Sequence, residues 1–377
     1  MTAADGPAAP GAPRRRRAGW VARLAASRGF QRWAAATPLV RRIARRDGEA
    51  LMDLVAGFVH SQVLRAVVDL DLVERLLDAP ADTDALARAC ALPPERMAVL
   101  LDAAAASGLV RRDRRGQWHA GRRGAALATV PGLRAIVQHH DALYDDLRDP
   151  VALLRGEGET HLSRFWPYVF GAARAEDPAA ARRYSDLMAQ SQILVAEETL
   201  ARIDLSGVDE LLDVGGGTGA FLEAVGGRHP RPRLHLFDLP AVVPDAERRF
   251  ARAGLSGRTR ITPGSFRDRA LPEGAEAISL VRVLYDHEDD TAMALLRAAR
   301  AALPPGGRLV ISEPMAGSRA GDGYFALYTL AMRTGRARHP RALLAMMEAA
   351  GFRDLRDHGT TRPFVTRVLS GRSVRPD

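Results

Sequence analysis

Lysine is absent from the 377-residue sequence, so all 54 basic side chains are arginine. That removes Schiff-base and lysine-base chemistry from the chain's repertoire. A GC-biased coding sequence is a simpler cause than a selected role. Cysteine is nearly absent too, with Cys90 alone. One thiol excludes a disulfide framework and a cysteine-rich metal site, and it fits a reducing compartment. No uninterrupted apolar run reaches 18 residues, so no membrane span is expected. No charged n-region followed by an apolar h-region is found, so no secretory signal is expected. No repeat period stands out. Acid is missing from one whole segment. Arg14 to Arg46 holds eleven arginines and no Asp or Glu, although the net charge of the chain is only +9.

What is present suffices for two domains: the length, and a 47% hydrophobic composition. Residues 1–13 are Ala/Pro/Gly-rich and read as disordered. The arginine segment that follows also carries Trp20, Leu24, Phe30, Trp33, Leu39, Val40 and Ile43. Arginines on one side and aromatics on the other can lie in a membrane interface. An arm packed on a dimer partner is the alternative, and nucleic acid is a weaker third reading. From Glu49 to Ala128 the pattern is helical. Thr83 is the candidate N-cap of a short helix, and Pro93-Pro94 opens the next. Leu109-Val110 and Gln117-Trp118-His119 read as two strands around a polar turn. Helix, turn, helix and wing is a winged-helix pattern. The helix after Pro93 is Ala/Leu/Met-rich and offers few side chains to base edges, so dimerisation is favoured over DNA reading. Residues 130–201 are mostly helical. His139 and His140 point about 100° apart on a helix and cannot easily share a metal, so solvated or substrate-facing histidines are expected. Arg164-Phe-Trp166-Pro-Tyr168-Val-Phe170 is an aromatic cluster, read as core or as a pocket wall.

The chain is organised around Glu210-Leu-Leu-Asp213-Val-Gly215-Gly216-Gly217-Thr218-Gly219-Ala220. An apolar strand runs into a glycine turn and then into a helix at Phe221 to Val225. Gly217 and its neighbours let a ligand approach the backbone closely, and the helix start offers free N–H groups. Two ligands compete for this turn. Gly215-x-Gly217-x-x-Ala220 fits a dinucleotide fingerprint. Gly215-x-Gly217-x-Gly219 with Asp213 ahead fits S-adenosylmethionine (SAM), whose cationic amino-acid tail suits an acid where a pyrophosphate would not. Asp238, closing the next strand, suits a ribose diol. Strands at 210–214, 233–237, 258–262, 276–283 and 307–313 alternate with helices near 218–228, 241–253, 288–302 and 340–350. This predicts a parallel sheet with right-handed crossovers. A last hairpin, 352–357 with 363–369, resembles the antiparallel edge of class I SAM methyltransferases rather than a dehydrogenase.

Five motifs in order carry a resemblance over about residues 48–377. They are Leu211-Leu-Asp-Val-Gly-Gly-Gly-Thr-Gly, Phe237-Asp-Leu-Pro240, Gly264-Ser-Phe266, Arg282-Val-Leu-Tyr-Asp286 and Pro304-Pro-Gly-Gly-Arg-Leu-Val-Ile-Ser-Glu313. The sequence resembles the plant-type two-domain O-methyltransferases. It is more closely similar to the bacterial carotenoid O-methyltransferases of the hydroxyneurosporene/demethylspheroidene type, through Val281 to Asp289, Gly321 to Arg338 and the Trp20 to Arg46 arm. The resemblance implies an α/β fold: a Rossmann-like class I SAM methyltransferase domain preceded by a mostly helical winged-helix dimerisation domain. The expected division is a basic arm at 1–47, the dimerisation domain at 48–130, a helical connector at 131–200 and the methyltransferase domain at 201–377.

The same resemblance implies SAM as methyl donor with no metal, a hydroxycarotenoid substrate methylated on a tertiary 1-hydroxyl, and a homodimer. Peripheral membrane contact through residues 14–46 is expected, without nucleic acid, in the cytoplasm and at the inner (photosynthetic) membrane. Cofactor residues carried over are Asp213, Gly215, Gly217, Gly219, Asp238, Ser265, Phe266 and Arg282. Catalytic candidates are Tyr285, His287 and Glu313. The family's base is a His where this chain has Tyr285, and its second orienting acid falls at Ala337. An unperturbed Tyr has a pKa of ~10 and His ~6.5, so Tyr285 is expected to hold the substrate oxygen, with His287 as the alternative base. Tyr324, Phe325, Leu327, Tyr328, Leu330 and Met332 form a mostly apolar stripe, read as core or as the wall of an apolar pocket. Three rival readings stand beside this: an O-methyltransferase for a soluble aromatic or polyketide hydroxyl, a catalytically inactive winged-helix regulator, and a dehydrogenase.

Overall fold

The computed structural model describes residues 20–25, 27–165, 189 and 191–374. Arg14 to Arg17 and the Trp166 to Phe170 part of the aromatic cluster lie outside them. Helices open the described chain at Trp20–Ala25, Arg28–Ala36 and Pro38–Asp69. The third is 32 residues long, with proline in its first turn, where no N–H bond is needed. Val67 and Val68 at its end are buried, but Leu51, Leu54, Val55 and Phe58 are 59% to 71% exposed. By length and composition its Val40–Asp69 part is a candidate membrane span. The sequence reading did not anticipate this, because Asp53, His60 and Arg65 interrupt the apolar run.

The winged-helix pattern appears as helices Thr83–Ala89 and Pro94–Ala106, then β1 (Val110–Arg112) antiparallel to β2 (Trp118–Ala120). Leu72, Met97, Leu101 and Trp118 share its core. Thr83 is not the cap. Asp82 caps the helix by accepting the Ala85 N–H at 2.8 Å, and Thr83 Oγ1 accepts from the Trp118 indole at 3.0 Å.

The second layer system is a seven-stranded sheet in the order β5-β4-β3-β6-β7-β9-β8. Its strands are β3 (Glu210–Val214), β4 (Arg233–Asp238), β5 (Thr259–Pro263), β6 (Ala277–Val281), β7 (Arg308–Glu313), β8 (Phe352–Asp357) and β9 (Arg367–Ser373). β3 to β7 are parallel, and β9 is antiparallel to both of its neighbours. Side chains alternate between two cores: Leu212 and Val214 face one, Leu211 the other. From β3 the chain winds one way to β4 and later the other way to β6, which opens a crevice at the carboxyl end of β3. β9 begins four residues later than the 363 expected, because 362–366 form a turn in which Val365 N–H donates to Arg362 O at 2.8 Å.

Candidate active site

At the crevice the glycine turn leads into the Ala220–Arg228 helix. Gly217 has φ +61° and open space where a Cβ would stand. Gly219 has φ +78°, and a Cβ there would strike the Phe250 ring at 2.4 Å. The first position is free for a ligand, and the second is forced by packing. A cavity of about 180 Å³ runs from Gly217 and Asp238 past Ser265 and Phe266 to Arg282 and Tyr285, with Gly215 also on its wall.

Asp238 Oδ2 accepts the Gly217 N–H and Oδ1 accepts the Leu239 N–H, each at 2.6 Å. Burial pushes its carboxyl up to about 6 against those two bonds. Asp213 corrects the reading that it meets a ligand's cationic tail directly. It points below the turn, fully buried, and is not on the cavity wall. Oδ1 accepts from Ser279 Oγ at 2.6 Å, and Oδ2 has no partner. A Cβ on Gly216 would lie 2.1 Å from that oxygen. Burial, then the charge of Asp238, pushes Asp213 up to about 7.

On the other side of the cavity, Ser265 Oγ accepts the Arg267 N–H at 3.1 Å, and Phe266 meets His287 edge to face at 5.3 Å. His287 Nδ1 lies 3.2 Å from Arg267 Nη2. Burial, then the charges of Arg267 and Arg338, push its imidazole down to about 3. His287 is therefore neutral at pH 7 and stands with the Ser265–Phe266 group. Tyr285 sits within the 3-10 turn Leu284–Asp286 and His287 is the residue that ends it, so the pair is not on a strand, and both line the cavity.

Tyr285 is 2% exposed. Its backbone N–H donates to Glu313 Oε2 at 3.1 Å. Burial above all, with Asp286 adding to it, raises its phenol above the ordinary value despite a hydrogen bond with Arg282. Arg282 takes φ +59°, an uncommon state for a side-chain-bearing residue. Its Nη1 donates to Ser191 Oγ at 2.6 Å. Glu313, at the end of β7, is fully buried with Oε1 unpartnered, and burial pushes it up to about 8. So Glu313 holds the backbone of the turn rather than the Tyr285 hydroxyl.

Two residues escaped the sequence reading. Asp286 lines the cavity with a buried, unpartnered Oδ1, and burial pushes it up to about 7. It lies inside the Arg282–Asp286 motif, but nothing local says that its carboxylate is buried. Arg338 is 2% exposed. Its Nη1 donates to Leu284 O at 2.8 Å, Nη2 to His287 O at 2.7 Å and Nε to Asp289 Oδ1 at 2.7 Å. A cation clamps the turn from beside the position where an orienting acid was missing. Of the two readings of the 324–332 stripe, core is the one found. Tyr328 and Met332 bury against Leu143, Leu153 and Leu162 instead of lining the cavity. His139 and His140 are held by Tyr328 Oη (2.7 Å) and Tyr324 Oη (2.9 Å) rather than solvated. Phe325 meets Tyr285 edge to face at 6.4 Å.

Residues 144–353 match the O-methyltransferase domain family, and residues 52–129 match the O-methyltransferase dimerisation domain. The chain is 52% identical to the demethylspheroidene O-methyltransferase of Cereibacter sphaeroides over 358 residues, 94% of each chain. This chain belongs to the O-methyltransferase family. A second relative, the demethylspheroidene O-methyltransferase of Rhodobacter capsulatus, is 49% identical over 94% of this chain and 89% of its own length. The fold is shared with human N-acetylserotonin methyltransferase solved with SAM: TM-score 0.75, 23% identity, 87% of this chain and 98% of that one. As a SAM-dependent O-methyltransferase, it presents residues that fit the cofactor. The space at Gly217 is where a Cβ would obstruct a ligand, and Asp238 beside it retains carboxylate lone pairs for a diol.

Proposed function

We propose that this O-methyltransferase methylates the tertiary 1-hydroxyl of an acyclic hydroxycarotenoid of the demethylspheroidene type. The observation that carries this reading is the 52% and 49% identity, over 94% of the chain, to two proteins named for that activity. The soluble aromatic or polyketide rival gains no comparable support. Gly215, Gly217, Gly219, Asp238, Ser265, Phe266 and Arg282 would hold SAM, with Asp213 bracing the turn from below. Bound SAM supplies an electrophilic methyl group on a sulfonium.

The chain's own residues do the rest. A phenol raised by burial is no base at neutral pH, so Tyr285 with Arg282 holds the substrate oxygen in line. Alignment of this kind can stand in for very large effective molarities. Asp286, poised near neutrality, would take the hydroxyl proton as the methyl group passes from sulfur to oxygen. Glu313 and Arg338 fix the turn. His287, neutral, packs beside the nucleoside side of the cavity.

The domain division at 48–130, 131–200 and 201–377 is part of the same reading, as is a homodimer built on the dimerisation domain. The exposed Leu51, Leu54, Val55 and Phe58 face is a seat for a second copy. The arginine segment 14–46, with Trp33 53% and Ile43 63% exposed, is proposed to touch the cytoplasmic membrane surface, where each arginine near anionic lipid adds ~1 kcal/mol. Labelled SAM offered with hydroxyneurosporene and with a simple phenol tests the function. Transfer to the carotenoid alone is expected, and transfer to the phenol alone would overturn it.

A further inference from the structure

At the far end of β7 from Glu313, five residues or ~17 Å along the strand, a second cavity of about 380 Å³ opens. Arginines from four separate pieces of chain line it: Arg202 after the 191–200 helix, Arg308 at the start of β7, Arg356 on β8 and Arg372 on β9. The register places Arg308 directly opposite Arg372. Like charges in that relation destabilise a sheet, and the hydrogen bonds formed there leave both charges in place. Arg308 donates to the carbonyls of Asp204 and Ser206, and Arg372 Nη1 donates to Gly306 O at 2.9 Å. All three acceptors are neutral.

The carboxylates at the cavity compensate only in part: Asp204 is held below its ordinary value by its Ser206 hydrogen bonds and, less, by the charge of Arg308. Asp204 is engaged by the Ser206 N–H at 2.8 Å and by the Ser206 hydroxyl. Asp354 is the other acid on the wall. Among the described residues, none of the four arginines forms an ion pair within 4.0 Å. Arg202 Nε is buried with no acceptor, although a buried donor without a partner is costly. His358, bonded to Ser370 Oγ at 2.7 Å, is pushed down by burial and by the charges of Arg356 and Arg202. The wall therefore carries four arginines against two acids, an excess of positive charge.

We propose that this cavity binds a phosphate-bearing ligand, either a free phosphate compound or the headgroup of an anionic lipid. Guanidinium forks match phosphate oxygens bidentately. A phosphate between Arg308 and Arg372 offsets their repulsion, with Arg202 and Arg356 on the same wall adding positive charge. The volume falls within the range of small-molecule sites, so the phosphate need not come alone. No residue of the cofactor cavity takes part, and this site stands whether or not the substrate assignment does.

The test compares the full chain with Arg308→Gln/Arg372→Gln, and with the milder Arg356→Gln on an exposed strand position. Thermal melts are run with inorganic phosphate and with pyrophosphate. Co-sedimentation is run with phosphatidylglycerol and phosphatidylcholine vesicles. The parent protein should gain about 2 °C from the phosphate compounds at a few multiples of Kd, and both variants should lose most of that gain. A gain from free phosphates that the variants lose assigns a soluble ligand. Variant-sensitive binding to phosphatidylglycerol alone assigns the lipid headgroup. Equal responses of parent and both variants in every arm would overturn the proposal.

Discussion

The two ends of the parallel sheet are built with opposite electrostatics. At the carboxyl end, Asp213, Asp238, Asp286 and Glu313 are all pushed up by burial, to between about 6 and about 8. At the amino end of β7, four arginines converge without an ion-paired carboxylate among the described residues. Neither end is at its own electrostatic optimum. Of the four acids, Asp238 and Asp286 line the cavity, where a cation such as SAM would favour their ionised forms. Arginines facing one another are relieved by an anion.

The sharpest way to break the comparison is at the acid end. Asp286→Asn should lower kcat by 10²- to 10⁴-fold, on the order of a lost general base, with SAM affinity largely kept. In the parent, turnover should rise with pH through about 7 as the carboxylate forms. A pH-independent kcat in single-turnover assays would refute the role. Asp238→Ala comes next. Losing a charge-assisted contact is worth about 1.5–3 kcal/mol, so the Michaelis constant for SAM should rise about 10- to 100-fold. Tyr285→Phe should cost less, about tenfold in kcat, because alignment is only partly lost and Arg282 remains.

Proton linkage sharpens the contrast further. The four acids have higher pKa values folded than the ~4 of unfolded chains, so the folded state binds more protons between pH ~4 and ~8. Their contribution to stability is full below pH ~4 and is lost as pH rises through the folded values. The melting temperature of the ligand-free protein should therefore fall across that window, and saturating SAM should flatten the fall. The smallest expected effect is at the other end. In low-salt buffer free of phosphate, Arg308→Gln/Arg372→Gln should be more stable than the parent by a few tenths of a kcal/mol, read from urea midpoints.

The parts of this molecule legible in the sequence are those governed by local rules. The β3 strand, the glycine turn and the acid closing β4 follow from apolar runs and fixed spacings, and their positions agree with the fold to within a residue or two. Orientation was less accessible. Strand alternation says that Asp213 faces one side of the sheet, but not that the side lies beneath Gly216. The 324–332 stripe is apolar whether it faces a cavity or the 133–165 helices. Arg338 is one arginine among 54 charged side chains of basic type, and its partners lie 51 and 54 positions away. The Arg308–Arg372 pairing depends on a strand register displaced from the expected one, and no local signal announced it.

The clamp by Arg338 has a consequence for how the enzyme is made. During synthesis from the amino terminus, the glycine turn and Asp238 leave the ribosome about a hundred residues before the guanidinium that fixes 284–287. The 284–287 turn can therefore be fixed only after β3 to β7 have all been made.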